Sequence, residues 1–224
     1  MSIKNSFDKA AKDYDAARKQ LIPCFDEFYG TAMDLISFNE ADNLQVLDLG
    51  AGTGLFTSLV AQQYPDAEFT LYDLSSAMLS EAKTRFEKIN SKINYIEKDY
   101  SADGIDGEYD LIISALSIHH LTDNEKEILF RNIYKSLKPN GLFINADQVL
   151  GETNNIEQTY RNVWLKQVKD NSVTDSTLSA ALERMKEDKM STLIDQLLWL
   201  KKANFQEVNC WYKNYSFVVY SGRK

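Results

Sequence analysis

The chain is poor in residues that form disulfides, bind metals or interrupt secondary structure. Its 224 residues include two cysteines, two histidines, three prolines and nine glycines. Cys24 and Cys210 lie far apart and lack the paired spacing of a zinc site, so we expect reduced thiols in a cytoplasmic protein. So few prolines and glycines leave no candidate for a flexible linker, which favours a compact structure with short loops.

Long apolar runs and an excess of positive charge are also missing. No run approaches the roughly 20 apolar residues of a membrane-spanning helix. The first residues also lack the apolar segment of a signal peptide, so we expect no membrane partner. The formal net charge is −8, whereas surfaces that bind nucleic acids are basic. DNA and RNA are therefore disfavoured as partners.

The most informative segment is a short apolar run followed by alternating glycines. Residues 46–54 read Val-Leu-Asp-Leu-Gly-Ala-Gly-Thr-Gly. An apolar run of this kind predicts a buried parallel strand. Glycines behind it let the backbone approach a ligand closely, and the helix start that follows attracts an anionic group. The segment lacks the Gly-Lys-Ser/Thr of a P-loop, and its G-x-G-x-G spacing differs from the G-x-G-x-x-G of dinucleotide enzymes.

An acid at the end of the next apolar run supports a bound adenosine. Residues 68–72 predict a second strand that ends at Asp73. A carboxylate at such a strand tip can accept hydrogen bonds from both ribose hydroxyls. Nicotinamide enzymes use an acid about 20 residues downstream in the same way, so Asp73 alone does not choose the cofactor.

Four segments between residues 46 and 121 resemble, in order and spacing, the motifs of class I S-adenosylmethionine-dependent methyltransferases. They are the glycine turn with Asp48 ahead of it, Asp73 with residues 74–79, the segment 93–100 and the segment 109–121. The resemblance implies S-adenosylmethionine as the cofactor. The residues that it implies for cofactor binding are Tyr14, Arg18, Asp48, Gly50, Ala51, Gly52, Gly54, Asp73, Leu74, Met78, Asp99, Tyr100, Ser114 and Ala115.

The same resemblance implies individual roles around the adenosine. Asp73 would hold the ribose, and Leu74 and Met78 would flank the adenine. Asp99 would accept a hydrogen bond from the adenine amino group while Tyr100 packs on the ring. Asp48 is expected to position backbone or the cofactor amino group rather than to react.

The predicted fold is α/β. Strands alternate with helices over residues 44–150, which predicts a cofactor-binding core built on a parallel sheet with helices on both faces. The family resemblance implies a Rossmann-like seven-stranded sheet of order 3-2-1-4-5-7-6 with strand 7 antiparallel. Helices within residues 1–40 and a helical insertion after strand 5, residues 152–190, are the expected lid. With a C-terminal helix and strand pair in residues 191–224, we expect residues 1–224 to form a single methyltransferase domain.

The two histidines follow the predicted fourth strand, at the edge of the sheet where open α/β folds bind ligands. Histidine titrates near neutral pH and is a good general base. Phosphoethanolamine methyltransferases pair a histidine at this place with an N-terminal tyrosine, and His120 with Tyr14 is similar. His120, His119 and Tyr14 are therefore the catalytic candidates, with His120 preferred. The alternative is that both histidines only cap and pack on the following helix.

The segment Tyr14-Asp15-Ala16-Ala17-Arg18 looks like the family's Tyr-Asp-x-x-Arg. Tyr14 could cover the methionine carboxylate of the cofactor. Arg18 could bind that carboxylate, or an anionic acceptor, as a fork-shaped donor. A core-packing tyrosine beside a solvated arginine is the alternative.

The predicted activity is methyl transfer from S-adenosylmethionine to an oxygen or nitrogen atom of a small-molecule acceptor. No metal site is predicted, because Asp147 at the end of the fifth strand lacks the adjoining ligand pair of the catechol-type enzymes. The alternatives are an enzyme similar to carboxy-S-adenosylmethionine synthase and a non-catalytic, S-adenosylmethionine-binding regulatory protein. A nicotinamide dehydrogenase is a distant third. The oligomeric state is left open, with a homodimer as one option.

Overall fold

The computed structural model describes residues 14–39, 42–87, 89 and 92–224, and only the backbone of Tyr14 and Ala16. The part of the predicted N-terminal lid before residue 14 lies outside the described residues. Within the described ranges, no helix is both long and apolar enough to cross a membrane.

Seven strands form one sheet in the order β3-β2-β1-β4-β5-β7-β6. Neighbouring strands from β3 to β5 pair in parallel, and β7 runs antiparallel to β5 and β6. The predicted strand order and the antiparallel seventh strand are confirmed. The strands are β1 Gln45–Leu49, β2 Glu68–Asp73, β3 Lys92–Glu97, β4 Tyr109–Ala115, β5 Leu137–Gln148, β6 Gln206–Asn214 and β7 Phe217–Arg223.

Helices cover both faces of this sheet. Short 3-10 turns lie at Ile118–His120 and Met185–Glu187. The helices of the described residues are α1 Tyr14–Leu21, α2 Phe25–Asp34, α3 Leu55–Gln63, α4 Ser76–Phe86, α5 Asp123–Ser136, α6 Asn154–Asp170, α7 Asp175–Arg184 and α8 Leu193–Lys202.

The central strand β1 is buried on both sides. Val46 packs in a cluster with α2, α3, α4 and α6, whereas Leu47 and Leu49 pack in a second cluster with α5 and α8. Successive side chains of a strand point to opposite faces, so a strand covered by helices on both sides must be apolar nearly throughout. This is why the residues before Gly50 are hydrophobic on both faces of the strand, apart from Asp48.

Several helix starts are fixed by side chains that cap them. Ser75 accepts a hydrogen bond from the Met78 amide at the start of α4. Thr122 and Glu125 form a reciprocal capping box at the start of α5. Each cap satisfies backbone donors that an α-helix leaves unpaired, so α4 and α5 begin at defined positions beside the carboxyl ends of β2 and β4.

Helices α6 and α7 fall between β5 and α8, within the range of the predicted insertion. The Trp164 indole N–H donates to the Leu21 carbonyl oxygen at 2.9 Å. The Asn171 side-chain amide donates to the Gln20 carbonyl oxygen at 3.3 Å. These two bonds join α6 and the residue just after it to the end of α1.

One acid lies inside the core. Asp48 in β1 is buried, and its Oδ2 accepts a hydrogen bond from Thr57 Oγ1 at 2.6 Å. Burial raises the pKa of Asp48 to about 7, and the Thr57 hydroxyl and the Arg18 guanidinium offset this effect only in part. Asp48 therefore titrates near neutral pH in the folded protein, whereas in an unfolded chain it titrates at about pH 4.

Replacing Asp48 with Asn is expected to flatten the pH dependence of stability. Between about pH 4 and 7 the unfolded wild-type chain loses the Asp48 proton while the folded protein keeps it, so the free energy of unfolding falls as pH rises. From about pH 5 to 8 this loss is on the order of 3 kcal/mol, and Asp48→Asn lacks it. Urea unfolding of the cofactor-free wild type and variant at about pH 5 and about pH 8 measures the free energy of unfolding. If wild type and variant differ in that free energy by the same amount at both pH values, the raised pKa of Asp48 is contradicted.

Candidate active site

The glycine turn after β1 folds back onto β2. The amides of Gly50 and Ala51 both donate to the Tyr72 carbonyl oxygen, at 2.8 and 2.9 Å. Gly50 has φ +68°, and a Cβ there would lie 1.8 Å from Ser117 Oγ. Gly52 has φ +56°, and no atom lies within 4 Å of the place where its Cβ would stand. Gly50 is thus required by the protein's own packing, while Gly52 leaves open space beside bare backbone.

Asp73 ties this turn to the next strand. One carboxylate oxygen accepts a hydrogen bond from the Gly52 amide at 2.8 Å, and the other accepts from the Ser75 amide at 2.8 Å. A single side chain at the end of β2 therefore fixes both the turn after β1 and the start of α4. The same carboxylate stands at the wall of the open space beside Gly52.

This open space is a cavity of about 260 Å³ at the carboxyl ends of β1, β2 and β4. Carboxylates, glycine backbone and apolar side chains alternate along its wall. Most of the residues that the sequence suggested for the site are brought together here. They are Arg18, Gly50, Gly52, Asp73, Leu74, Met78, Asp99, Tyr100, Ala115 and His120.

Other residues suggested by the sequence lie beneath the cavity rather than on its wall. Asp48 bonds to Thr57, and the Ser114 hydroxyl donates to the Leu49 carbonyl oxygen at 2.8 Å. Ala51 is buried, and Gly54 lies at the start of α3 close to Phe86. These residues support the turn and the strands. The Tyr14 side chain lies outside the described part of the chain, so its suggested roles stay predictions.

His119 is held in a buried network. Its Nδ1 lies 2.5 Å from Asp147 Oδ1, and its backbone amide donates to Asp147 Oδ2 at 3.1 Å. Its Nε2 lies 3.6 Å from Asp188 Oδ1. Burial alone lowers the pKa of His119, but the Asp147 and Asp188 carboxylates outweigh it, so the pKa is raised above its usual value.

The His120 ring lies beside the His119 ring, with 4.0 Å between the ring centroids and an angle of 55° between the ring planes. Its Nδ1 lies 3.1 Å from Asp188 Oδ1. Burial and the neighbouring His119 lower the pKa of His120, and Asp188 offsets part of that change. The two rings thus differ in electrostatic environment, although they are adjacent in the sequence and share one carboxylate.

A second cavity of about 110 Å³ adjoins the first. The two share Arg18, Leu116 and His120 as lining residues. Arg18 is buried, and its Nη2 donates to the Ala115 carbonyl oxygen at 3.2 Å. The second cavity lies under the helical segment after β5, which contributes Trp164, Ala181, Arg184, Met185 and Asp188 to its lining.

Ser117 and Asp188 are among the residues of this region that sequence reasoning missed. Ser117 Oγ lies 2.7 Å from the Tyr100 hydroxyl and lines the larger cavity. Ser117 stands in the fourth-strand segment, where its proximity to the histidines could have marked it. Asp188 lies in a segment without a motif, and only the fold brings it to the histidines.

Comparison with known proteins agrees with this geometry. Residues 46–141 match a family model described as a methyltransferase domain. The chain is 21% identical over 219 residues to a carboxy-S-adenosyl-L-methionine synthase of Nautilia profundicola, covering 95% of this chain and 91% of that protein. It is 29% identical over 140 residues to a malonyl-[acyl-carrier protein] O-methyltransferase of Acetivibrio thermocellus, covering 62% of this chain and 47% of that protein.

A solved structure shares the fold. Phosphoethanolamine N-methyltransferase 2 of Haemonchus contortus, in complex with S-adenosyl-L-methionine, superposes with a TM-score of 0.66 at 17% identity. The match covers 94% of this chain and 46% of that one. The chain thus spans about half the length of these two methyltransferases. Residues 46–141, which contain the glycine turn, thus match a methyltransferase domain, and the strand order is that of the class I S-adenosylmethionine-dependent methyltransferase fold; these matches support S-adenosylmethionine as the cofactor.

Proposed function

We propose that this protein transfers the methyl group of S-adenosylmethionine to an oxygen or nitrogen atom of a small-molecule acceptor. The observation that carries the proposal is the pair of adjoining cavities, which share Arg18, Leu116 and His120. The larger cavity would hold the cofactor and the smaller one the acceptor. When bound, S-adenosylmethionine supplies a methyl group on a sulfonium, which is an excellent leaving group.

The wall of the larger cavity fits the chemistry of an adenosine. Asp73 and Asp99 place carboxylates at the ends of two neighbouring strands, where they can accept from ribose hydroxyls and an adenine amino group. Leu74 and Met78 offer apolar surface for the base. Gly52 adds a stretch of backbone with open space over it, so a large ligand can come close without meeting a side chain.

The protein's tasks in such a displacement are to align the acceptor, exclude water and remove a proton. His120 lines both cavities, so it is our candidate for accepting that proton. A carboxylate 3.1 Å from its Nδ1 favours the tautomer in which Nε2 carries the lone pair. Trp164 and Met185, from the segment after β5, line the smaller cavity and would act as a lid that keeps water out.

A second candidate activity is formation of carboxy-S-adenosylmethionine. The relative that names it is similar over nearly the whole length of both chains. Arg18 and Arg184 line the smaller cavity, where guanidinium groups could pair with a carboxylate carried next to the sulfonium. Methyl transfer is preferred because the remaining lining is largely apolar and contains a histidine suited to remove a proton.

Gly52→Ala is expected to weaken S-adenosylmethionine binding at least about tenfold, which is roughly 1.4 kcal/mol. The added methyl group would meet no protein atom within 4 Å and would occupy space assigned to the cofactor. Isothermal titration calorimetry measures the affinity. Gly104→Ala is the matched control, because Gly104 also has positive φ and no neighbour within 4 Å of its Cβ position, and it does not line the cavity. Equal affinities in the two variants would contradict the placement.

His120→Ala is expected to leave S-adenosylmethionine affinity within about twofold while turnover falls by about two orders of magnitude, the usual share of a general base. The assay follows S-adenosylhomocysteine release with the best acceptor from a panel of phenols, amines and carboxylic acids. His120→Gln keeps a polar side chain but cannot accept the proton as imidazole does, so it should stay slow. Wild-type turnover in either variant would contradict the role of His120 as the general base, and the protein would then act by aligning the acceptor only.

Mass spectrometry of the cofactor distinguishes the two candidate activities. Methyl transfer converts S-adenosylmethionine to S-adenosylhomocysteine and adds a methyl group to the acceptor. The second candidate instead consumes a carboxyl donor: a carboxyl group leaves the donor and replaces one hydrogen of the sulfonium methyl group, the donor gains that hydrogen, and the cofactor product carries one more carboxyl group. Tight cofactor binding with neither product across the panel would favour a regulatory protein.

A further inference from the structure

Two imidazole nitrogens and one carboxylate oxygen converge beside the smaller cavity. They are His119 Nε2, His120 Nδ1 and Asp188 Oδ1, with 3.6 Å and 3.1 Å from the carboxylate oxygen to the two nitrogens. One nitrogen from each histidine and one oxygen of the Asp188 carboxylate lie within 4.8 Å of one another. In tetrahedral zinc sites with bond lengths of about 2.1 Å, ligand atoms stand about 3.4 Å apart. Two edges of the triangle are therefore close to that spacing already.

The surroundings orient these ligands. Asp147 accepts at His119 Nδ1, which directs His119 Nε2 toward Asp188. Asp147 is itself held by the Gln148 amide at 2.9 Å and the Asn145 side chain at 3.3 Å. The Lys189 amide donates to the His119 carbonyl oxygen at 2.9 Å, which fixes the backbone next to Asp188. A carboxylate behind a histidine ligand is the usual second shell of a metal site.

We propose that His119, His120 and Asp188 form a binding site for a divalent transition-metal ion of the zinc class. Two imidazoles with one carboxylate suit zinc, whereas magnesium and calcium prefer oxygen ligands alone. The adjoining cavity of about 110 Å³ has room for a water molecule or another ligand at an open coordination position.

The charge balance of the region allows such an ion. Asp147 and Asp188 bring two negative charges, and the ion's two positive charges would balance them once both imidazoles are neutral. Lys126 is one buried cation nearby, and its ammonium group donates to the Lys189 carbonyl oxygen at 2.5 Å and Ser191 Oγ at 2.6 Å. Arg18 and Arg184 also line the cavity, so these three cations set a limit on affinity.

A metal ion bound at these three residues would change the protonation of His120 in the cavity assigned to the acceptor. This consequence rests on the proposed function. With a metal on Nδ1, neutral His120 must carry its proton on Nε2. Nε2 then donates a hydrogen bond and no longer accepts a proton from the acceptor. Zinc bound at the cluster is therefore expected to inhibit methyl transfer, although the binding itself does not depend on that reaction.

The test measures metal binding directly. Full-length protein is treated with EDTA, exchanged into a non-coordinating buffer and titrated with zinc chloride by calorimetry, and bound zinc is counted by plasma mass spectrometry after dialysis. We expect one zinc per chain and no stoichiometric magnesium. Cobalt(II) at the same site should give the visible absorption of a low-coordinate ion. An absence of stoichiometric zinc binding would overturn the proposal whatever the methyl-transfer activity.

Matched variants locate the ion. Asp188→Asn should weaken zinc binding at least about tenfold, and Asp147→Asn by about 10 to 100-fold through the second shell. Glu187→Gln removes the same charge from the exposed neighbouring position and should leave zinc affinity unchanged. Circular dichroism checks folding, and His120→Gln serves if Asp188→Asn does not fold. Zinc binding that survives both Asp188→Asn and His120→Gln would place the ion elsewhere and overturn the assignment.

Discussion

The Asp73 carboxylate connects two walls of the larger cavity, because its two oxygens accept hydrogen bonds from backbone amides that are far apart in the sequence. One amide belongs to Gly52 in the turn after β1 and the other to Ser75 at the start of α4. A charged acceptor strengthens such bonds, and a partly buried position strengthens them further. The shape of the larger cavity follows from this arrangement, since the turn supplies one wall and α4 supplies Met78 to another.

A second carboxylate plays the corresponding part beside the smaller cavity. Asp147 at the end of β5 fixes the backbone and the ring of His119 together. Asp188 then approaches both rings from the segment after α7. The two cavities therefore have one feature in common: next to each, an acid at the end of a strand positions a neighbouring loop. In both places the acid first satisfies protein donors, so its geometry is set before any ligand arrives.

Much of the fold was predictable because the local signals agree with one another. The apolar residues of β1 on either side of Asp48 reflect burial on both faces, and the motifs from Gly50 to Leu121 supported the resemblance that implied the strand order. The site was predictable where a residue stands in a strand-end motif, as Asp73 does. Asp48 lies on the same face of β1 as Val46 and bonds to Thr57 rather than lining the larger cavity. Motif spacing alone does not show which motif residues line the cavity and which support it. Asp188 was not predictable, because only tertiary structure brings it 68 residues back to His120.

The bond between the Trp164 indole and the Leu21 carbonyl joins residues 143 positions apart. Contacts of such long range form late, because closing a large loop costs entropy before the contact returns any energy. The parallel strands that carry the glycine turn involve much shorter separations along the chain. The strands around the glycine turn can therefore assemble before α6 docks on α1. Under the proposed function, the cavity assigned to the cofactor would then form before the cavity assigned to the acceptor is covered.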